Sequence, residues 1–143
     1  MWACSARLNS LRKKSREDGG NVWTVGSGSL EEISQIGTLQ TMIASGGGLD
    51  LPNAIAIDGN GQVWVTNGNN TVSEFSNSGS AMSPSGGFKD SSLSAPAGIA
   101  IDLGGSVWVV NNGNNSVTRI LGAAAPVAPL STAAENGATG ARP

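Results

Sequence analysis

The chain has 143 residues, only 13% of them charged, with 21 glycines and a formal net charge of −2 at pH 7. Low charge with abundant glycine is typical of short strands joined by tight turns, and it argues against helical bundles and coiled coils. The net charge does not favour nucleic acid or an anionic membrane surface as a partner, and no apolar run approaches the roughly 18 residues needed to cross a bilayer.

The first 17 residues are basic and are predicted to lie outside the folded part of the chain. Five of the eight lysine and arginine residues fall between Arg7 and Arg16. The charges of residues 12–17 do not suit a buried strand, because moving unpaired charge out of water is costly. We expect residues 1–17 to form a disordered basic arm; an arm that binds nucleic acid or lipid is the alternative, although interleaved aromatic residues are lacking. No apolar stretch follows Met1, so the chain shows no signal peptide and its own location stays open.

A repeat of 41 to 45 residues organises most of the remaining chain. Pro52–Asn67 and Pro96–Asn111 read PNAIAIDGNGQVWVTN and PAGIAIDLGGSVWVVN, and ten of the sixteen positions are identical. A weaker copy lies upstream, where Gly20–Trp23 matches Gly61–Trp64. Each unit combines a short apolar strand, a tight turn, a Val-Trp-Val strand, an Asn-Gly turn and an alternating third strand. This period is typical of propeller blades.

Three repeat units follow one another in the predicted fold. An incomplete unit at 18–49 keeps only the later half of the pattern, and two complete units occupy 50–93 and 94–122. The Ser/Gly-rich segment 76–94 is expected to hold a ragged fourth strand. The sequence therefore predicts an all-β fold, a partial and open β-propeller with two complete four-stranded blades and one incomplete blade. The Ala/Pro/Gly-rich tail 123–143 has no predicted element.

Three blades are too few to close a ring, because closed propellers have about four to eight blades. Each end of such an arc leaves a blade face uncovered, and repeat units bury their apolar surface only against neighbours. We therefore expect the chain to be the C-terminal part of a larger propeller. The alternative is that copies assemble head-to-tail into a ring, by self-association through the open blade faces.

The repeat unit resembles the NHL repeat. Gly98–Ile120 carries the pattern G-I-A-I-D … G-x-V-W-V-x-N-x-G-N-N-x-V-x-x-I, and Ala54–Phe75 fits it nearly as well. The resemblance covers about residues 18–121 and is greatest to bacterial NHL propellers, including the virginiamycin B lyase-like group. It implies a propeller fold, export of the full-length relatives, and either a binding role or lyase activity.

Two classes of function remain open. The chain has no histidine, so Ser-His-Asp and Cys-His catalysis cannot be assembled from its own residues. The resemblance implies that active lyases use a histidine and an acidic residue near bound Mg²⁺. We therefore predict a non-catalytic binding or structural scaffold, with no catalytic, cofactor or metal residues. A truncated or degenerate lyase-like enzyme, with its histidine in absent blades, is the alternative. The single cysteine, Cys4, cannot form a disulfide within the chain.

The candidate binding residues are asparagines in the loops between the second and third strands of the two well-matched units. Asparagine amides both donate and accept hydrogen bonds, which suits an unknown protein, peptide or glycan partner. The alternative is turn structure, because asparagine adopts left-handed turns and bonds to its own backbone. The candidates are Asn67, Asn69, Asn70, Asn111, Asn112, Asn114 and Asn115.

Two further motifs are predicted to be structural. Residues 58–61, Asp-Gly-Asn-Gly, resemble the start of a calcium loop, but no acidic ligands follow at the required spacing, which favours a hairpin turn. Trp23, Trp64 and Trp108 recur at one position of the unit. They are predicted to pack between adjacent blades rather than to stack on a ligand.

Overall fold

The computed structural model describes residues 13–16, for which only the backbone is considered, together with 21–26 and 28–127. These residues form eleven strands and no helix, so no helix here is long and apolar enough to cross a membrane. The strands are β1 Lys13–Arg16, β2 Val22–Val25, β3 Leu30–Ile33, β4 Leu39–Ile43, β5 Pro52–Ile57, β6 Val63–Asn67, β7 Thr71–Phe75, β8 Phe88–Lys89, β9 Pro96–Ile101, β10 Val107–Asn111 and β11 Ser116–Ile120.

The strands form three antiparallel sheets, in each of which neighbours along the chain are neighbours in the sheet. We call them blade 1 (β1–β4), blade 2 (β5–β8) and blade 3 (β9–β11). Blades 1 and 2 have four strands and blade 3 has three. The predicted all-β, partial propeller of two complete blades and one incomplete blade is confirmed. The incomplete blade is the last one, however, and not the first.

Blade 1 is complete because residues 13–16 supply its first strand, contrary to the predicted boundary at residue 18. Lys13 pairs with Val25 and Arg16 with Val22 in an antiparallel register. The ladder is built from backbone hydrogen bonds, which any residue except proline can make. The charge argument assumed an inner strand covered by blades on both sides, whereas the described residues place a neighbouring blade on one side only. The rest of the predicted basic arm, residues 1–12 and 17, lies outside the described part of the chain.

Within the described residues blade 3 has no fourth strand, because the chain leaves β11 in a different direction. The segment 123–127 crosses the hairpin turns of blades 2 and 3 and does not return along β11. The amide of Ala124 donates to the carbonyl of Gly105 at 3.0 Å, and the carbonyl of Ala125 accepts from the amide of Gly59 at 3.2 Å. Residues 123–127 form no regular element, and the rest of the predicted tail, residues 128–143, lies outside the described part of the chain.

Blade 2, by contrast, has the ragged fourth strand that was predicted within residues 76–94. Its third strand, β7, pairs with the two-residue strand β8 and, through Phe75, forms an isolated bridge with Ala81. A Ser/Gly-rich segment makes few ladder bonds because glycine weakens strand pairing.

Alternating side chains of each blade's second strand build the core between blades. In β6, Val63 and Val65 contact blade 1, whereas Trp64 contacts blade 3. Trp23 fills the corresponding place between blades 1 and 2, so interblade packing of these two indoles is confirmed. The first cluster comprises Trp23, Val25, Leu30, Ile55, Val63, Val65 and Phe75, and the second Trp64, Val72, Leu93, Val107, Val109 and Ala124.

Candidate functional site

An aspartate after the first strand of blade 2 closes a hairpin and holds a tryptophan. Asp58 Oδ1 accepts the backbone amides of Asn60 at 2.9 Å and Gln62 at 3.0 Å, and Oδ2 accepts the Trp64 indole N–H at 3.3 Å. Residues 58–61 therefore form the predicted turn, with the carboxylate used inside the fold. Among the described residues, no group of three or more His, Cys, Asp or Glu side chains is placed to hold a metal ion.

Blade 3 repeats this arrangement with Asp102. Its Oδ1 accepts the amides of Gly104 at 2.9 Å and Ser106 at 2.8 Å, and its Oδ2 accepts the Trp108 indole N–H at 2.9 Å. The hydrogen bond from Trp108 and then that from the Ser106 amide lower the pKa of Asp102 to about 2. Asp102 is therefore an ionised cap of the hairpin.

Two of the seven candidate asparagines, Asn67 and Asn111, are buried and hold the framework together. Asn67 Nδ2 donates to the hydroxyls of Ser73 at 2.8 Å and Thr71 at 3.0 Å, and its Oδ1 accepts the Asp50 amide at 3.3 Å. The side chain thus joins β6 to β7 and to the segment that enters the blade.

Asn111 makes the same set of contacts one blade later. Its Nδ2 donates to the Thr118 hydroxyl at 2.9 Å, and its Oδ1 accepts the Ser94 amide at 3.1 Å. Both buried amides are fully used inside the fold, so neither is accessible to a partner.

The other five candidates lie on the surface, and the two loops that carry them meet at Ala95. The amide of Ala95 donates to Asn70 Oδ1 at 2.7 Å, and its carbonyl accepts the amide of Asn112 at 3.1 Å. Asn70 and Asn115 occupy the left-handed region at φ 62° and 53°, as expected for turn residues. The exposed set is Asn69, Asn70, Asn112, Asn114 and Asn115.

Two exposed asparagines also brace their own turns through oxygen. Asn69 Oδ1 accepts the Thr71 hydroxyl and Asn114 Oδ1 accepts the Ser116 hydroxyl, each at 2.6 Å. Because the oxygens are occupied, the amide N–H groups are the atoms with most freedom to contact a partner. Asn69 Nδ2 makes one long contact, 3.5 Å to the carbonyl of Gly48.

Blade 3 carries an open apolar face of the kind predicted for the ends of the arc, although its residues were not among the predicted site residues. Trp108, Val110 and Val117 are 37%, 51% and 58% exposed, although their counterparts Trp64 and Val72 in blade 2 are at most 1% exposed. The Arg119 guanidinium lies 4.9 Å from the Trp108 ring centroid and 3.6 Å from Asp102. We call this surface the open face; it comprises Trp108, Val110, Val117 and Arg119, with Leu103 and Leu121 exposed near it.

A groove at the outer side of the boundary between blades 2 and 3 was also missed. It encloses about 400 Å³ and has Trp64 and Phe88 in its wall, with ring centroids 5.9 Å apart. Burial raises the pKa of the Glu74 carboxyl at its rim, and the Asp58 carboxylate raises it further. We call it the outer groove; its lining is Trp64, Glu74, Phe88, Lys89, Asp90, Leu93, Ile120 and Ala123.

Successive four-stranded meanders, one large indole per interblade layer and repeated hairpin caps define a β-propeller. Solved structures of β-propellers have the same fold. Virginiamycin B lyase from Staphylococcus aureus, in selenomethionine form, superposes with a TM-score of 0.68 at 20% identity over 84% of this chain and 41% of that one. A catalytically inactive histidine-to-alanine variant of that enzyme, with quinupristin, gives 0.66 at 20% identity over 78% of this chain and 38% of that one.

A putative gluconolactonase also has a similar fold. Its superposition has a TM-score of 0.60 at 15% identity, and it covers 82% of this chain and 47% of the gluconolactonase chain. The chain spans 37% to 41% of the length of the lyase structures it matches. No family model matches the sequence, and no curated protein matches it either. These similarities establish the propeller fold.

Proposed function

We propose that this propeller piece is a non-catalytic scaffold that acts by docking its open face. The observation that carries the proposal is the contrast between blade 3 and its predecessors. Trp23 and Trp64 are fully covered by the next blade, whereas Trp108, at the same position, is 37% exposed beside exposed Val110 and Val117. Contiguous apolar surface of this kind marks an interaction site, because covering it removes apolar area from water.

A second copy of the chain is the occupant we propose for the open face. A head-to-tail contact would require blade 1 to expose the surface that receives a preceding tryptophan. Thr24 stands there, where Val65 and Val109 stand in the other blades, and it is only 2% exposed. A two-fold contact between two open faces is therefore favoured over a ring. It also lets Arg119 and Asp102 pair across the interface.

Molar mass in solution tests this docking. Light scattering after size exclusion should give twice the chain's 14.3 kDa at high concentration. Val110→Lys should give a monomer, because a charge at the centre of the interface is costly to desolvate. Gln40→Lys adds the same charge to exposed β4 and should leave the dimer intact. A compact wild-type monomer at all concentrations contradicts the proposal.

We also propose that the exposed asparagine loops contact a peptide or glycan, since both loops converge at Ala95 on one surface. A glycan and peptide array should give a signal that falls in an Asn69→Ala, Asn114→Ala double variant. Aspartate at both positions keeps the oxygen that accepts the turn hydroxyl but removes the amide donors. Loss of signal with aspartate as well as alanine supports direct contact. An unchanged signal in the alanine variant ends this part of the proposal.

The alternative function, a truncated or degenerate lyase-like enzyme, is favoured only by the lyase structures among the similar folds. In the Staphylococcus aureus enzyme, a variant that lacks one histidine is catalytically inactive. This chain has no histidine. Incubation with quinupristin followed by mass spectrometry should therefore leave the compound intact. Its cleavage by the purified chain would contradict the scaffold proposal.

A further inference from the structure

The third strand of blade 3 has an outer edge that no strand covers within the described residues. In blades 1 and 2 the equivalent strands pair with β4 and β8. In blade 2 the carbonyl of Glu74 accepts the amides of Met82 at 2.8 Å and Ser83 at 3.2 Å from the returning segment. Arg119 is the repeat equivalent of Glu74, and β11 ends its sheet. Its main-chain groups thus form a template for another strand.

The same comparison explains why the outer groove exists. At the boundary of blades 1 and 2, the returning segment of blade 2 fills the equivalent space: the turn at Gly79 packs against Thr41 and Ile43. Ser83 closes the layer by donating to the carbonyl of Gly47 at 2.8 Å. As far as residue 127, where the described part of the chain ends, blade 3 has no returning segment, and the space beside Ile120 is open as the outer groove.

We propose that an extended peptide of another protein binds in the outer groove as the fourth strand of blade 3, with main-chain hydrogen bonds to β11. This site goes beyond the proposed docking function, because it uses the strand edge and not the open face. Every second side chain of an added strand points to the same side. Apolar side chains on that side would cover Trp64, Phe88 and Leu93. The ligand is therefore a strand-forming peptide with alternating apolar residues.

Charge at the groove indicates which peptides suit it. Glu74 and Asp90 supply two carboxylates to the lining and Lys89 one ammonium. A neutral or basic peptide is favoured over an acidic one, because like charges at a partly desolvated rim repel. Raising the salt concentration should weaken a basic peptide more than a neutral one of the same apolar pattern.

The chain's own fourth strand provides a defined probe. A labelled synthetic peptide with the sequence of residues 38–44, TLQTMIA, reproduces β4 and its flanking residues. Its control carries proline in place of Thr41, which removes a ladder donor while the apolar residues stay the same. We expect saturable binding below about 1 mM by fluorescence anisotropy, and binding at least about tenfold weaker for the proline peptide.

Hydrogen exchange distinguishes strand addition from other binding. Bound peptide should slow the exposed amides of residues 116–120 by about tenfold, because they become part of a ladder. Ala123→Trp, which fills the groove from an exposed position, should abolish binding, and Leu103→Trp near the open face should not. The proposal is overturned if both peptides bind equally, if Ala123→Trp binds normally, or if no binding occurs. In the Val110→Lys variant, exchange that slows with protein concentration alone would also overturn it, because a second copy would then cover the β11 edge without using the open face.

These assays are carried out on the Val110→Lys variant as well as on the wild type. That variant removes the proposed dimer contact but leaves the outer groove untouched. If the monomeric variant binds the peptide, the groove proposal holds even when the open face does not dock. If the wild type dimerises but binds no peptide, the docking proposal holds and the groove proposal fails.

Discussion

Replacing Trp64 and Trp108 separately by alanine measures how much stability each blade gains from its successor. The two indoles occupy the same repeat position and each donates to an aspartate, at 3.3 Å for Trp64 and 2.9 Å for Trp108. They differ in burial, since Trp64 is 1% exposed and Trp108 is 37% exposed. We expect Trp64→Ala to lower the free energy of unfolding by about 3–5 kcal/mol, as for other large core deletions. Trp108→Ala should cost about 1–2 kcal/mol, from partial burial and the cation–π contact.

Urea unfolding followed by circular dichroism provides the measurement. It is done at a protein concentration where light scattering shows monomer only, because dimer contacts at Trp108 would add to its apparent value. The unfolding slope should stay the same in both variants, so that the midpoints report stability. Equal losses for the two substitutions would refute the argument that blade 3 covers Trp64 while no blade among the described residues covers Trp108.

Four further substitutions, one of them a control, test the framework. Gly48→Ala should destabilise strongly, because its Cβ would overlap the Gly87 backbone, whereas Gly46→Ala, also at positive φ but in open space, should cost only about 1 kcal/mol; similar urea midpoints would contradict this. Asn67→Ala should cost about 2–4 kcal/mol in urea unfolding, because it removes the three hydrogen bonds of a buried amide to the Ser73 and Thr71 hydroxyls and the Asp50 amide; a loss under about 1 kcal/mol would show that the network is not stabilising. The lowered pKa of Asp102, about 2, means that it stabilises the fold above its unfolded value of 3.8 and that this contribution is lost as pH falls towards 2. Asp102→Asn should therefore flatten the fall of the urea midpoint between about pH 5 and pH 2, and an unchanged profile would contradict the assignment.

The blades could be predicted because their signals are local. Residues 54–75 and 98–120 each contain the strands, the aspartate turn and the asparagine turn within one short stretch, and turn chemistry acts over a few residues. The first strand of blade 1 could not be predicted, because its pairing depends on backbone geometry and its residues 13–16 carry charge instead of the apolar pattern. That blade 3 has only three strands within the described residues was equally hidden, since the fourth strand of blade 2 has no periodicity to compare.

The asparagine site shows what a pattern of residue types leaves out. Asn67 and Asn69 are two positions apart and look alike in sequence, yet one is buried and the other exposed. A signal for the buried one was present, in hydroxyl residues four and six positions later. Thr71 and Ser73 follow Asn67 at these spacings and accept its amide hydrogens. Ser116 and Thr118 follow Asn111 five and seven positions later and accept its amide hydrogens likewise, which identifies a repeated framework contact rather than a binding residue.

The open face and the β11 edge are coupled through one residue. The Arg119 side chain lies over Trp108 on the open face, and its main chain lies on the edge strand. A peptide strand beside β11 would order this residue and widen the sheet that presents the open face. Peptide binding should then strengthen association of two copies, and by thermodynamic reciprocity association should strengthen peptide binding by the same factor. Sedimentation equilibrium with and without the peptide measures that factor. A factor of one would mean that the two surfaces of blade 3 act independently.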